Sequence, residues 1–483
     1  MSIVELKQLI AGQWVAGSGD AIRSMNPALP HEIVAEGAGA AVADARAAVV
    51  AAAAAAAWAA VPSHERCGVL KRASLLVARA APVWGLELAR EEGKTLAEGV
   101  GEVMRAAQIL EYFGNDANRE AGGLFNSARR GERILVTRRP LGVILVITPF
   151  NFPIAIPAWK IAPALAYGNV VVWKPAESVP LLALRLAQAL QEAGLPDGVL
   201  NLVLSGREVG VALAEHPGID GISFTGSSAV GRSLAAAGAA RGIPVQAEMG
   251  GKNAAIVLAD ADLNLAADQV LAGAFSSSGQ KCTATSRLIV HKSVANEFAA
   301  TIARRADELT VGDPTEEGVS LGPVITADAR DSIVGAVRSA VREGARLLTS
   351  RSLTLTGELA HGHFVAPTVL DCTGVDTSVW NEELFGPVLA IRTVATPEEA
   401  FELANATEFG LSAAVFTNDL NLALLAVDSI AVGMLHINSE TTGADPHVPF
   451  GGAKGSGLGP KEQGTAAQEF YTYSTTVYLR GGA

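Results

Sequence analysis

Short apolar runs alternate with helical patterns through the middle of the chain. "GVILVIT" (142–148), "NVVVW" (169–173), "NLVL" (201–204), "GISF" (221–224), "NAAIVL" (253–258) and "RLIVH" (287–291) read as strands, and helical patterns fall between them at 180–193, 207–215, 228–237 and 262–277. That order predicts a parallel sheet covered by helices. A second alternating block follows, with helices near 293–308, 325–343 and 398–405 and strands "LAIRTV" (389–394) and "SAAVF" (412–416). No tandem repeat, low-complexity linker or long charge run interrupts the pattern. A domain boundary is therefore expected inside continuous α/β sequence, near "AEMGGKN" (247–253).

The stretch "AVADARAAVVAAAAAAAWAAV" (41–61) breaks the rhythm. Its uncharged run from Val49 to Val61 falls short of the roughly 18–20 residues a bilayer requires, Ala is only weakly apolar, and Asp44 and Arg46 lie just upstream. It also starts too late to be a signal peptide. The high helix propensity of Ala makes it an ordinary helix of a soluble protein.

Composition narrows the class. A chain of 483 residues with 49% hydrophobic positions exceeds what one core supports, so two or more domains are expected. A net charge of −12 argues against a nucleic-acid footprint or an anionic-membrane surface, both of which need clustered Lys and Arg. Cys67, Cys282 and Cys372 are far apart and none is in a CxxC pair. That excludes a disulfide framework, speaks against a structural metal site, and makes the reducing cytoplasm the natural compartment.

Several strand exits carry candidate chemistry, each with an ordinary alternative. In "SSSGQKCTATSRLIV" (276–290), Cys282 lies in a small polar stretch just before a strand, as a nucleophile or an inert thiol. In "FTGSSAVGRS" (224–233), Gly226 and Gly231 are spaced GxxxxG between a strand and a helix, which suits a pyrophosphate seat or simply a tight turn; Arg232 stands where a P-loop needs Lys. "VVWKPAES" (171–178) puts Lys174 and Glu177 at the carboxyl edge of a strand, where they grip ribose hydroxyls or merely face solvent. "ITPFNFP" (147–153) offers the Asn151 amide as an oxyanion donor or a turn cap. In "QAEMGGKN" (246–253), Glu248 fits either a general base of raised pKa or an ion-pair partner. "NEELFGPV" (381–388) and "PFGGAKGSGLG" (449–459) complete the set.

"TPFNFP", "WKPAE", "FTGSSAVG", "AEMGGKN", "GQKC", "EELFGPV" and "PFGGAKGSG" occur in this order and at these spacings in the NAD(P)-dependent aldehyde dehydrogenases, which the chain resembles over nearly its whole length. The resemblance implies that Cys282 is the nucleophile, that Asn151 and the Cys282 backbone N–H meet the alkoxide, and that Glu248 activates the water that hydrolyses a thioester. Relatives that pass the acyl group to coenzyme A tend to lack that glutamate, so hydrolysis is expected. The resemblance further places Lys174 and Glu177 on the adenosine ribose, Gly226, Ser227 and Gly231 around the pyrophosphate, and Glu383 with Phe385 beside the nicotinamide ribose. A carboxylate about 5 Å from a 2′-phosphate would cost roughly 3 kcal/mol per unit charge at an effective dielectric near 20. Glu177 therefore favours NAD over NADP, with NADP still possible.

The implied fold is α/β: a Rossmann-like NAD domain (1–120 and 141–249), an α/β catalytic domain (250–445) and oligomerisation strands (121–140 and 465–483). A homodimer or homotetramer follows, because exposed strand edges call for a partner chain. The tail around "GLGPKEQG" looks a residue longer than in common members, which leaves a second acid at Glu462 without a firm role. "FNFPIAIPAWKIAPALAYGNVVVWKPAE" and "GQKCTATSR" look most like the 2-oxoglutarate semialdehyde dehydrogenases, with succinate semialdehyde dehydrogenases close behind and aromatic aldehyde dehydrogenases next. A non-catalytic protein on the same fold is the alternative from another class; intact Cys282, Glu248 and Asn151 argue against it.

Overall fold

The computed structural model describes residues 3–119 and 122–481. Positions 1–2, 120–121 and 482–483, at the ends of the expected pieces 1–120, 121–140 and 465–483, lie outside the described residues. Eight strands form the first sheet, in the order Gly457–Leu458, Val245–Glu248, Gly221–Thr225, Val143–Ile147, Val170–Lys174, Leu200–Leu202, Gln8–Ile10 and Gln13–Val15. The middle five are parallel. From Val143–Ile147 the chain builds outward on one side, then returns to add Gly221–Thr225 and Val245–Glu248 on the other. That reversal makes Val143–Ile147 a topological switch point, and ligands of doubly wound sheets bind beyond the carboxyl ends of the strands there.

A second sheet runs Arg346–Leu347, Thr368–Asp371, Val388–Val394, Thr285–His291, Asn253–Val257, Ser412–Phe416 and Met434–Ile437. All are parallel except Arg346–Leu347. Its inner strands, such as Asn253–Val257 and Ser412–Phe416, are buried on both faces, as their continuous apolar sequences demand. Ala255, Val257, Leu288 and Val290 enter one core, and Ala254, Ile256 and Ile289 enter another, the period of two that a pleated strand imposes. The chain passes from the first sheet to the second between Glu248 and Asn253, inside the "AEMGGKN" stretch. It returns at Gly457–Leu458, which pairs antiparallel with Val245–Glu248.

The Ala-rich stretch is two pieces. An α-helix over Val42–Ala54 buries Ala45, Ala48, Val49 and Ala52 on the first core, and a 3-10 turn over Ala56–Ala60 follows. Val42–Ala60 is long and apolar enough, by length and composition, to cross a bilayer. Here the break at Ala55 lets Trp58 turn inward, where its indole N–H donates to the Leu165 carbonyl at 3.0 Å. Two long helices, Ser63–Glu92 and Leu96–Asp116, pack closely where Gly99 meets Gly85; a Cβ on Gly99 would stand 2.5 Å from the Gly85 carbonyl oxygen.

A three-stranded antiparallel sheet projects from this body, with Glu132–Pro140 between Gly122–Asn126 and Thr472–Arg480. The last strand begins at Thr472. Ahead of it, Ala466–Tyr471 is helical because Ala467, Phe470 and Tyr471 bury into the first core.

Candidate active site

Cys282 follows a strained turn. The helix Leu263–Phe275 ends, and Ser277, Ser278 and Gly279 take left-handed conformations with φ of 53°, 53° and 69° before the strand Thr285–His291 begins. Left-handed non-glycine residues cost on the order of 1–3 kcal/mol each, so the surroundings must hold them. The Ser277 N–H donates to Glu98 Oε1 at 2.7 Å, the Ser278 hydroxyl to the Gly322 carbonyl at 2.8 Å, and the Ile325 N–H to Gln280 Oε1 at 2.9 Å. Asn253 Nδ2 donates to the Cys282 carbonyl at 2.8 Å and the Ala284 carbonyl at 2.9 Å. Gly279 has no room for a side chain: a Cβ would meet the Gly386 carbonyl oxygen at 2.3 Å.

Asn151 reaches the same turn from the carboxyl end of Val143–Ile147. It is buried, and Nδ2 donates to the Gln280 carbonyl at 2.9 Å, which leaves one amide hydrogen uncommitted. The Asn151 carbonyl accepts from Lys94 Nζ at 2.7 Å. Lys94 is itself buried, paired with Glu102 at 2.6 Å and stacked 4.2 Å from the Phe152 ring. Glu102 Oε1 in turn caps the helix Ala155–Ala166 through the Ile154 and Ala155 N–H groups, at 3.0 and 3.2 Å. These supports were not among the residues singled out from sequence. The signal for part of the network is "TLAE" (95–98), a capping box: the Glu98 carboxylate accepts from the Thr95 N–H at 2.9 Å.

Glu248 ends its strand 4% exposed. The "PFGG" loop is shaped around it: the Gly452 N–H donates to Oε2 at 2.9 Å, and a Cβ on Gly451 would stand 2.3 Å from Oε1. Burial, and next the negative charge of Glu462, push its pKa well above the ordinary carboxyl range, against the Gly452 N–H and the Lys160 and Lys461 charges. Glu462 is no bystander. It is buried in an ion pair with Lys160, whose Nζ also donates to Ser223 Oγ at 3.1 Å, so the tail delivers a second carboxylate to the neighbourhood of Glu248. Cys282 is half-buried, and its thiol pKa is pushed up to about 12 by burial and then by the charges of Glu383 and Glu248.

Glu383 is drawn to the same place. Its Oε1 accepts from the Gly251 N–H at 2.9 Å, and a Cβ on Gly250 would stand 2.1 Å from Oε2. Burial raises its pKa to about 7. Phe385 holds a left-handed φ of 55° and packs edge-on against Phe150, 5.7 Å between ring centres, which ties this loop to that of Asn151. Cys282, Asn151, Glu248, Glu383 and Phe385 therefore converge where the amino edge of the second sheet meets the carboxyl edge of the first.

The expected dinucleotide residues line that carboxyl edge. Lys174 and Glu177 lie against the start of the helix Arg207–Glu215: a Cβ on Gly206 would be 3.1 Å from Glu177 Oε2, and one on Gly210 would be 3.2 Å from the Lys174 stem. Ser227 is exposed at the N-terminus of the helix Ser228–Arg241, with no side-chain cap bond to its own first turn. The two glycines of GxxxxG pack closely. The Gly226 N–H donates to the Glu248 carbonyl at 3.1 Å, and a Cβ on Gly231 would meet Met249 Sδ at 2.5 Å, so these glycines let the helix fit onto the sheet. A dinucleotide fits this edge: the buried Thr225 and Ser205 hydroxyls both lack a partner among the described residues, and Ser205 lines a cavity of about 360 Å³ together with Glu177 and Arg207.

A switch-point groove thus lies beside a half-buried thiol that feels the charges of Glu383 and Glu248. Comparison with known proteins specifies the class. Residues 14–477 match the aldehyde dehydrogenase family model. The chain is 40% identical to an alpha-ketoglutaric semialdehyde dehydrogenase of Bacillus subtilis, over 98% of this chain and 97% of the other. It is 42% identical to an alpha-ketoglutarate semialdehyde dehydrogenase of Haloferax volcanii, over 98% of each. A crystal structure of betaine aldehyde dehydrogenase from Staphylococcus aureus in complex with NAD+ superposes with a TM-score of 0.94 at 30% identity, covering 98% of this chain and 95% of that one. The chain belongs to the aldehyde dehydrogenase family, and it is an NAD(P)-dependent oxidoreductase that acts on aldehydes.

Proposed function

We propose that this enzyme oxidises a carboxylate-bearing semialdehyde, 2-oxoglutarate semialdehyde first among them, and hydrolyses the resulting thioester on Cys282. The observation that carries the reading is the position of Cys282 on a cavity of about 360 Å³ that holds both an aromatic wall, Phe152, Trp159 and Phe450, and three cations, Lys94, Arg105 and Lys281. Two close relatives in sequence bear names of that substrate class.

In the proposed cycle the thiol adds to the aldehyde carbon and its proton leaves to a neighbouring carboxylate; Glu248, whose pKa is raised, is the acceptor within reach of the thiol's field. The free Asn151 amide hydrogen and the Cys282 N–H receive the alkoxide. Glu383 and Phe385 would hold the nicotinamide, which when bound would supply the two-electron acceptor for the hydride that leaves the adduct carbon as the thioester forms. Glu248 releases the thiol's proton to solvent, takes a proton from water as it attacks the thioester, and returns that proton to the sulfur as the acid departs. Lys174 and Glu177 hold the adenosine ribose and Ser227 the pyrophosphate; the exposed Glu177 carboxylate favours NAD over NADP by charge repulsion of a 2′-phosphate.

Assembly is proposed as a homodimer or a dimer of dimers. Met434–Ile437 is an open sheet edge, while Thr472–Arg480 is an outer strand with Tyr473, Tyr478 and Leu479 exposed. The three free cysteines suit the reducing cytoplasm.

The deciding experiment is kcat/KM with NAD for 2-oxoglutarate, succinate and glutarate semialdehydes, benzaldehyde and pentanal. The acid-bearing substrates should exceed pentanal ten-fold or more, since a charge-assisted contact contributes roughly 1.5–3 kcal/mol. The aromatic wall supports a second reading, an aromatic aldehyde dehydrogenase, and benzaldehyde outperforming every semialdehyde would establish it in place of the first.

A further inference from the structure

The helix Leu96–Asp116 forms one wall of the Cys282 cavity and contributes Glu98, Gly101, Glu102 and Arg105 to it. That i, i+3, i+4, i+7 spacing is a single stripe along the helix. Glu98 marks its inner end, because its carboxylate holds the Ser277 N–H in the turn that leads to Cys282. Arg105 lies seven residues further on, roughly 10 Å along the axis at 1.5 Å per residue. It lines this cavity and also the adjoining one bounded by His436, Thr442 and Val448, so it stands at the mouth. Between the two ends the wall is recessed: a Cβ on Gly101 would meet nothing within 4 Å.

The three cations of the cavity differ in what they already do. Lys94 is consumed by Glu102 and the Asn151 carbonyl, at 2.6 and 2.7 Å. Lys281 is buried, donates to the Ala272 carbonyl at 3.3 Å and has Glu440 and Glu98 as facing charges. Arg105 has only long contacts, 3.4 Å to Gln108 Oε1 and 3.6 Å to Asp445, whose side chain is 67% exposed. A guanidinium has five donors in a fork that matches a carboxylate, so most of its capacity is unused. Asp445 is exposed and Arg105 half-buried, and at 3.6 Å their pairing is loose, so a substrate carboxylate can replace Asp445 at small cost.

Length selects the substrate. In a five-carbon oxo-acid semialdehyde, four C–C bonds of about 1.5 Å separate the aldehyde carbon from the carboxylate carbon, roughly 5 Å when extended. Adding the C–O bond and a charge-assisted hydrogen bond of about 2.8 Å gives roughly 9 Å from the reacting carbon to a guanidinium nitrogen, close to the rise between Glu98 and Arg105. We propose that Arg105 is the specificity-determining residue of this enzyme, binding the distal carboxylate of a five-carbon semialdehyde at the mouth of the cavity while the aldehyde lies at Cys282. The inference deepens the semialdehyde reading above and rests on it.

The test is steady-state kinetics of the wild type, Arg105→Gln, Arg105→Lys and Lys281→Met on 2-oxoglutarate semialdehyde and on pentanal, an uncharged aldehyde of equal carbon number. Arg105→Gln should lower kcat/KM for the semialdehyde at least ten-fold more than for pentanal, with the loss in KM rather than kcat, and Arg105→Lys should recover part of it by charge without the fork. Equal losses on both substrates would make Arg105 structural, and an unchanged semialdehyde KM would remove it from the site. A charge-selective loss in Lys281→Met but not in Arg105→Gln would move the anchor to Lys281 and overturn the proposal. A wild type that does not favour the semialdehyde over pentanal refutes the substrate reading itself, which the variants alone cannot do.

Discussion

Replacing Glu248 by Gln removes a charge while keeping the shape, so it separates two consequences of the same buried carboxyl. Gln at this position still accepts the Gly452 N–H, which at present donates to Glu248 Oε2 at 2.9 Å. It cannot take a proton from water. General-base assistance contributes typically 10²- to 10⁴-fold, so steady-state turnover should fall by that order while the first turnover survives. Rapid mixing should show a burst of NADH followed by slow release of acid. The second consequence is stability. The folded-state pKa of Glu248 is raised above its unfolded value by burial and by Glu462. The folded protein therefore binds this proton more tightly than the unfolded chain does, and the contribution is fully present below the unfolded pKa and is lost as pH rises toward the folded one. The loss runs at about 1.4 kcal/mol per pH unit across that window. Glu248→Gln has no such proton to lose, so its stability relative to wild type should grow as pH rises above the ordinary carboxyl range, measured by thermal or denaturant unfolding at a series of pH values. A variant without a burst would show that Glu248 acts before the thioester, as the base for Cys282. A variant whose stability gain is flat with pH would refute the raised carboxyl.

Three further changes test separate parts of the site. Cys282→Ala should abolish aldehyde oxidation while NAD binding, followed by fluorescence quenching, persists, and retained turnover would rule out covalent catalysis. Asn151→Ala should cost about 10²- to 10³-fold in kcat, the loss typical of one oxyanion donor, with KM little changed; a pure KM effect would reassign Asn151 to binding. Glu177→Ser should narrow the ratio of kcat/KM for NAD over NADP by ten-fold or more if the carboxylate repels a 2′-phosphate by roughly 3 kcal/mol, and an unchanged ratio takes Glu177 off the ribose.

What the sequence made legible is what short-range pattern can carry. Strands such as Val143–Ile147 and Asn253–Val257 are buried on both faces, so they appear as uninterrupted apolar runs, and the passage between sheets coincides with the Gly-containing stretch after Glu248. The site residues at strand exits were visible for the same reason: a strand exit in an α/β fold is a place, and the chain order names it. Residues that act by tertiary convergence were not. Lys94, Glu98 and Glu102 sit in and beside a helix start, as ordinary surface charges would; only the fold buries Lys94 and Glu102 and turns Glu98 toward Ser277, some 180 residues away. Glu462 was ambiguous because a tail one residue longer breaks the motif register without showing where the extra residue is absorbed, whereas the paired Phe450 and Glu462 backbones, at 2.7 Å in both directions, fix its position. For the GxxxxG glycines the spacing left a pyrophosphate seat and a tight turn open, and the fold adds a packing reason for both: the Phe224 ring and Met249 occupy the space a side chain would need.

The electrostatics of the centre link the thiol and the base into one acid–base system. A thiol at pKa 8.5 would be a few per cent ionised at neutral pH; burial together with Glu248 and Glu383 pushes Cys282 to about 12, so ionising it alone is costly. The same burial raises Glu248, which makes that carboxylate a far better proton acceptor than a solvated one. Moving the proton from sulfur to Glu248 relocates a negative charge without adding one, and it relieves the repulsion between Glu248 and Glu462. The relevant quantity is then the difference between the two pKa values, which the raised Glu248 makes smaller than it would be for a solvated carboxylate. Neither group has a private titration under these conditions, and the pH dependence of Cys282 alkylation should report the pair. In Glu248→Gln the two effects oppose each other: one repelling charge is gone, which eases ionisation, and the internal acceptor is gone, which leaves solvent as the only destination for the proton. The burst rate of that variant should therefore rise with pH, whereas the burst of the wild type, whose proton has a destination inside the site, should be nearly flat over the same range.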